Sequence, residues 1–380
     1  MAPFLDLSDP AFSVRSPEAL AAREASWFAS TPFGIAVLRH EDVGALILHP
    51  GLRQGSYRWP ELHGATGPWA RWWTSIMLSR EGPDHLRLRK SALPAFSLAR
   101  HPGLAGRVAA LARELAGALP DGRCEFVGDF AEPFAARVLC LLIGLEERHW
   151  PKLAADTAVM GLALGVEYAA HAARIDAATL RLRDFAADLL ASAPGGFAGA
   201  LLSPKAELIE EERLDMIVLA IFGGIDTTRA QLGLAMQCFL DHPGQWARLR
   251  ADPSLAEAAV EEVMRVRPTI TWVTREATED LEHKGLAIPK GTVLHLISGL
   301  AGTDPAAFAP GFDIGAARAR HYGFGAGRHH CIGAPVARMD MAEALRALAA
   351  RIEAPEPDGP GDWLPDSGNT GPRRLPVRYR

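Results

Sequence analysis

Cysteine is scarce, with four in 380 residues. Cys124, Cys140, Cys238 and Cys331 are far apart and form no CxxC pair, so neither a disulfide scaffold nor a cysteine-rich zinc site is expected. Long apolar runs are missing too. The longest, such as 138–144 and 216–222, fall well short of the roughly 20 residues a membrane-spanning helix needs. Residues 1–14 contain no basic segment followed by an apolar one, so no signal peptide is expected. Charge of one sign is not in excess: 40 Lys and Arg against 45 Asp and Glu leave a net charge of −5, which argues against nucleic acid as a partner. Repeats and low-complexity linkers are absent. What remains is a cytoplasmic globular protein with no membrane partner. Its 48% hydrophobic and 22% charged residues are ordinary for that class. The length permits two or three domains or one large core.

The hydrophobic pattern is mainly helical. Apolar residues recur at helical spacing over 103–118, 130–143, 151–163 and 169–192, and again over 209–241, 254–266 and 335–352. The 209–241 stretch would span roughly 45–50 Å at 1.5 Å per residue. Residues 194–196 break the pattern. Gly34 to Leu38 reads as a strand, followed by a helix from His40 to Leu48. Residues 51–84, with Trp59, Trp69, Trp72 and Trp73, read as a long irregular binding loop. Residues 285–297 read as a hairpin turning at Pro289, Lys290 and Gly291. Residues 311–334 are glycine-rich loop, and a short strand covers 375–378. The expected fold class is mainly α with minor β, in a single domain over residues 1–380.

Cys331 stands apart from the other cysteines. It lies in the run Phe324, Gly325, Ala326, Gly327, Arg328, His329, His330, Cys331, Ile332, Gly333. Gly325 and Gly327 permit a tight turn, and Pro335 suits the first turn of the helix that follows. A cysteine just before a helix start meets free backbone N–H groups and the positive end of the helix dipole, which favour a thiolate. Cys124, Cys140 and Cys238 sit in apolar surroundings and read as small buried hydrophobes.

The spacing Phe324-Gly-x-Gly-x-His-x-Cys-x-Gly333 resembles the haem-binding loop of the cytochromes P450 at every defining position. The resemblance extends over nearly the whole chain, from Asp6 to Arg378. It implies haem b as cofactor, with Cys331 as the axial iron ligand, His329 on a haem propionate, and Phe324 and Gly325 close to the sulfur. A thiolate ligand donates electron density that favours O–O cleavage.

Further segments fit the same family. Ile221 to Thr228 resembles its oxygen-binding kink. Gly223 and Gly224 would let a flat ligand approach, Thr227 would hydrogen-bond the activated oxygen and its water, and Asp226 would relay protons as a general acid. Glu262 and Arg265 lie three residues apart on one helix face. Alone they would read as a surface ion pair, whereas the resemblance makes them a structural lock without catalytic role. His85 and Arg89, at i and i+4, and Arg275 match propionate ligands, since buried charge needs partners.

The implied activity is that of a monooxygenase. One atom of O2 enters a small hydrophobic or aromatic substrate, by hydroxylation or a related dealkylation, epoxidation or coupling. Electrons would come from NAD(P)H through a separate reductase and an acidic ferredoxin, with no such domain fused to the chain. Arg87, Lys90, Arg328, His330 and Arg338 are expected to form the basic patch that docks the ferredoxin. Trp72, Trp73, residues 157–166, Ile225, Ile270, Thr271, Trp272, Val273, Asn369 and Thr370 are expected to face substrate. A peroxide-dependent enzyme of the same kind and a non-catalytic haem sensor or carrier are the alternatives. The pairing of Asp226 with Thr227 argues against both.

Overall fold

Apolar residues at helical spacing dominate the chain, and helices dominate its structure, a computed structural model that describes residues 2–97, 101–165, 168–192 and 195–380. The expected break at Pro194 lies outside the described residues. In the first half the helices are α1 (Pro17–Ala25), α2 (His40–Ile47), α3 (Trp59–Leu62), α4 (Pro68–Ser75), α5 (Gly82–Ala92), α6 (Leu104–Ala118), α7 (Glu132–Ile143) and α8 (Trp150–Gly161). They continue with α9 (Tyr168–Ala191), α10 (Gly196–Leu201), α11 (Glu210–Asp241), α12 (Pro243–Ala251), α13 (Ala256–Val266), α14 (Ser298–Ala301) and α15 (Ala334–Arg351). The strands are β1 (Phe28–Thr31), β2 (Gly34–Val37), β3 (Leu52–Gln54), β4 (Arg123–Glu125), β5 (Val273–Ala277) and β6 (Leu281–His283). They end with β7 (Leu286–Ile288), β8 (Val293–Leu296), β9 (Glu356–Pro357), β10 (Asp362–Trp363), β11 (Pro372–Arg374) and β12 (Pro376–Arg378).

The 32-residue α11 is the axis of the core. Glu210, Glu211 and Glu212 fill its first turn, where carboxylates meet the positive end of the helix dipole. The Glu212 carboxylate also accepts from the free N–H of Ile209 at 3.1 Å. Pro243 starts the next helix as α11 ends at His242. Between those ends most of α11 is buried against α7, α8 and α9. A helix buried nearly all round must sit inside the domain, not on its surface.

The largest sheet has strand order β1-β2-β8-β5-β3. β2 and β8 run parallel, with Ile35 opposite Leu294, and the other pairs are antiparallel. A small core of Val37, Val43, Leu46, Leu294 and Leu296 joins this sheet to α2. Among the described residues no helix is long and apolar enough to cross a membrane.

Two sequence expectations need correcting. Residues 286–288 and 293–296 are not partners. β7 pairs with β6, whereas β8 lies between β2 and β5 in the large sheet. The hairpin turn is Lys284–Gly285, with φ of 47° and 81°, two successive positive values of the kind a two-residue hairpin turn requires. The segment 51–84 is not one irregular loop. It holds β3, α3, α4 and the start of α5. Pro68 opens α4, where a missing N–H costs nothing. Trp69, Trp72 and Trp73 are buried and pack this helix against α9 and α11.

Candidate active site

Gly325 and Gly327 have φ of 67° and 71°, left-handed values that residues with a Cβ resist. The turn closes with Gly325 N–H donating to the Tyr322 carbonyl at 2.8 Å and Cys331 N–H to the Phe324 carbonyl at 3.0 Å. The Arg338 guanidinium covers the Phe324 ring at 4.5 Å from its centroid. The loop therefore presents Cys331 at the start of α15, on the wall of an interior cavity of about 420 Å³.

Cys331 is accessible from this cavity, yet its sulfur is deep in the protein. Burial raises its thiol above the ordinary range, and it outweighs the lowering by the N–H groups of Gly333 and Ala334 and by the charges of Arg89 and Arg338. The helix-end donors expected from the sequence are present, but they do not by themselves make this sulfur a thiolate. A cation against the sulfur would. Among the described residues no group of three or more His, Cys, Asp or Glu side chains could hold a metal ion directly, so the iron would depend on a tetrapyrrole.

α11 passes across the same cavity with Gly223, Gly224, Thr227 and Thr228 on its wall. The helix runs unbroken through this segment. Thr227 Oγ1 donates back to the Gly223 carbonyl at 2.6 Å. The two glycines differ. A Cβ on Gly223 would meet nothing within 4 Å, whereas one on Gly224 would lie 2.7 Å from Leu139 Cδ1. Gly224 thus serves the packing of α11 on α7, in addition to bordering the cavity.

Asp226 is not on the cavity wall. It is 1% exposed. Its Oδ1 accepts from Arg229 Nη2 at 2.7 Å and its Oδ2 from Asn369 Nδ2 at 2.8 Å. A Cβ on Gly161 of α8 would lie 2.7 Å from Oδ2, so α8 packs directly on the carboxylate.

Several basic side chains line the cavity. His85 and Arg89 project from α5 and His329 from the cysteine loop. His85 Nδ1 is buried without a partner, and burial, with His329 and Arg89 nearby, lowers this imidazole to about 4. Burial also lowers Arg89, whose Nη2 donates to the His330 carbonyl at 2.8 Å. Arg275 is buried but lies off the wall, its Nη1 donating to the Thr274 carbonyl at 3.0 Å. Burial lowers it to about 10. Sequence reasoning missed Glu81. Its carboxylate accepts from Gln54 N–H at 2.6 Å and lies 3.0 Å from His329 Nε2. Burial pushes Glu81 up, but His329, Gln54 and Arg328 bring it down to about 2. One carboxylate among this many basic groups leaves room for further anionic oxygens, which fits haem propionates. The donor set, and a cavity lined by both Cys331 and α11, fit haem.

Of the residues expected to face substrate, Trp73, Ile270, Trp272, Val273 and Asn369 line the cavity. Four do not. Trp72 packs edge-on to Phe222, and Ile225 is buried elsewhere on α11. The Thr271 hydroxyl donates to the Gly368 carbonyl, and Thr370 N–H pairs with the Thr269 carbonyl. From 157–166 only Leu164 reaches the wall, and residue 166 lies outside the described residues. Glu262 and Arg265 are 2% exposed, so the pair is an interior one. It joins through two bonds of 2.7 Å, and Arg265 also holds the Gly302 and Gly311 carbonyls.

The family model described as Cytochrome P450 matches residues 166–353. Luteothin monooxygenase of Streptomyces thioluteus is 34% identical over 391 residues, covering 99% of this chain and 96% of its own. The chain belongs to the cytochrome P450 family. Another relative, the cytochrome P450 monooxygenase PikC of Streptomyces venezuelae, is 32% identical over 323 residues, 80% of this chain and 76% of its own. Among solved structures, the tirandamycin C-bound P450 monooxygenase TamI superposes with a TM-score of 0.84 at 26% identity, over 100% of both chains. This P450 is a monooxygenase with haem b as its cofactor, acting on O2 and an organic molecule.

Proposed function

We propose that this P450 oxygenates a small, neutral, hydrophobic or aromatic molecule of bacterial secondary metabolism, with Cys331 as the axial ligand. It draws electrons from NAD(P)H through a separate ferredoxin and reductase. The observation that carries the reading is that Cys331 and Thr227 both line one cavity. The relative named for luteothin supports the metabolic setting.

The haem, when bound, supplies the chemistry that activates O2 and inserts one of its atoms. His85, Arg89 and His329 would hold its propionates, and the buried Arg275 would add positive charge nearby. Thr227 offers a hydroxyl whose present acceptor is the Gly223 carbonyl; rotation about its side chain turns it to the cavity. Asp226 is the proton store behind it, held by Arg229 and Asn369. The wall formed by Trp73, Phe222, Ile270, Trp272 and Leu164 excludes water and gives apolar contact. Thr269 and Asn369 supply polar points that orient a substrate carrying an oxygen or nitrogen atom.

The ferredoxin face is narrower than expected. The Arg87 guanidinium is engaged by the Glu212 carboxylate, and Arg338 by Glu261 at 2.6 Å. Lys90 and Arg328 are exposed and carry the docking charge.

The test is the absorption spectrum of the reduced, CO-bound protein beside that of Cys331→Ser. A strongly red-shifted Soret band, lost in the variant, establishes the ligand. A band typical of histidine-ligated haem refutes it. A screen for substrate-induced spin-state shifts with apolar aromatic compounds then tests the substrate class.

A further inference from the structure

Asp226 has two polar partners, and they differ in one respect. Arg229 lies in the interior, 5% exposed, and its Nη1 donates to the Pro372 carbonyl at 3.3 Å. Asn369 is 3% exposed, yet it is one of the residues that line the cavity. Asp226 itself does not reach that wall. Asn369 is therefore the one residue bonded to the Asp226 carboxylate that a molecule in the cavity also touches, among the described residues.

The Thr269 hydroxyl lies 3.2 Å from Asn369 Oδ1 but gives its proton to the nearer Thr370 carbonyl at 2.6 Å, so the anchor on this side is the bridge that pairs Ile270 with Asn369. Ile270 lines the cavity beside it. Gln231 of α11 fixes this loop from below, accepting from Thr269 N–H at 2.8 Å and donating to the Arg267 carbonyl at 2.8 Å. A molecule seated against Ile270 and Asn369 thus presses on a short, defined connection to Oδ2 of Asp226. The other groups around the carboxylate are Arg229, Gly161 of α8 and, further out, the half-buried Glu132, which burial raises and whose charge Arg229 and Asp226 both feel.

We propose that Asn369 is a positioning residue that reports cavity occupancy to Asp226. With the cavity empty, the Asn369 amide and Arg229 together hold the carboxylate away from Thr227. A molecule against Ile270 and Asn369 displaces the amide and weakens its bond to Oδ2, leaving the carboxylate held by Arg229 alone and free to turn. Proton supply to the cavity then follows occupancy. The inference rests on the reading of Asp226 as the proton store.

The decisive measurement is infrared difference spectroscopy of the haem-loaded protein carrying 13C-labelled aspartate, with and without 4-phenylimidazole. The carboxylate band of Asp226 is identified by its loss in Asp226→Asn. The band is expected to shift when 4-phenylimidazole enters, as its Soret change reports, and the shift is expected to be lost in Asn369→Leu. Asn369→Ser, which keeps a short polar side chain, serves where the leucine variant does not fold, with partial loss expected. A shift of unchanged size in either variant overturns the proposal, as does a wild-type band that ignores an occupied cavity. Failure of 4-phenylimidazole to bind would remove its premise. A separate arm tests the underlying reading. With spinach ferredoxin and its reductase as electron donors, hydrogen peroxide released per NADPH is compared between wild type and Asp226→Asn. An equal ratio refutes Asp226 as proton store, whatever the infrared result; a changed ratio leaves the role of Asn369 to the band shift alone.

Discussion

The imidazole rings of His85 and His329 face each other at 4.1 Å between centroids, one from α5 and one from the cysteine loop. The charge of His329 adds to burial in lowering His85. Burial holds His85 neutral at ordinary pH, and His329 leans on the carboxylate of Glu81.

This pairing sets the expectation for cofactor retention. On the proposed haem site, Arg89→Ala and His329→Ala would each remove a charge-assisted contact to a propionate, and such bonds contribute roughly 1.5–3 kcal/mol. Haem loss to an excess of apomyoglobin should accelerate by about tenfold or more in each variant. An unchanged rate would place the propionates elsewhere.

Glu262→Gln leaves the Arg265 guanidinium buried without its counter-charge and weakens the bonds from Arg318 and the Asp313 N–H to the same side chain. Breaking one partner of an interior pair costs about 3–5 kcal/mol. The denaturant midpoint should fall accordingly. A change below about 1 kcal/mol would mean that the pair behaves as an exposed one.

The readable parts of the sequence were those in which residue type dictates backbone geometry. Gly325 and Gly327 announce a turn because their φ values exclude most other residues, and Pro335 announces the helix after it. Helices α6, α7, α8, α9, α11 and α15 followed from apolar spacing to within two residues at each end. Facing was harder. Trp72 and Trp73 are about 100° apart on one helix, and Ile225 and Thr227 about 200° apart, so one member of each pair turns from the cavity. Partnership was hardest. Nothing local tells β8 to pair with β2 and β5 in preference to β7, and nothing in the vicinity of Asp226 names Asn369. Those choices belong to the packed whole. Glu81 left one signal, a carboxylate just before the helix of His85 and Arg89, which gained meaning only once His329 lay beside it.

His295 on β8 is 0% exposed, and neither ring nitrogen has a partner among the described residues. Burial lowers it to about 4, below the value near 6.5 of an unfolded chain. The unfolded state therefore binds the proton first as pH falls. Stability should be full above pH 6.5 and decline as pH drops towards 4. His295→Leu should flatten the fall of melting temperature across that window, and an unaltered slope would assign acid sensitivity to other groups.

Gly223→Ala and Gly224→Ala should diverge. The first adds a methyl group facing open space and raises helix propensity by about 1 kcal/mol, while narrowing the cavity. The second drives a methyl into Leu139, and overpacking costs typically 1–3 kcal/mol. Melting temperatures of the two variants check this directly: Gly223→Ala at or above wild type, Gly224→Ala below it.

Charge reversal separates docking from stability. Arg328→Glu should slow reduction by ferredoxin and lessen its salt dependence, with little effect on melting. Arg338→Glu loses Glu261 and the Phe324 ring beneath it, so it should lower the melting temperature. Equal reduction rates for Arg328→Glu and wild type would remove Arg328 from the ferredoxin face.

The strand order β1-β2-β8-β5-β3 has a consequence for how the chain is made. β2 is complete at Val37, but its parallel neighbour ends at Leu296. At ribosomal speeds of about 5–20 residues per second, the first hairpin waits tens of seconds for that neighbour. During synthesis its open edge is exposed to any extended chain that passes. Strand β12, which pairs with β4 from far upstream, keeps a second edge waiting until Arg378 is added. The nascent protein is thus most vulnerable to aggregation at its sheets, although nearly all of its finished core is helical.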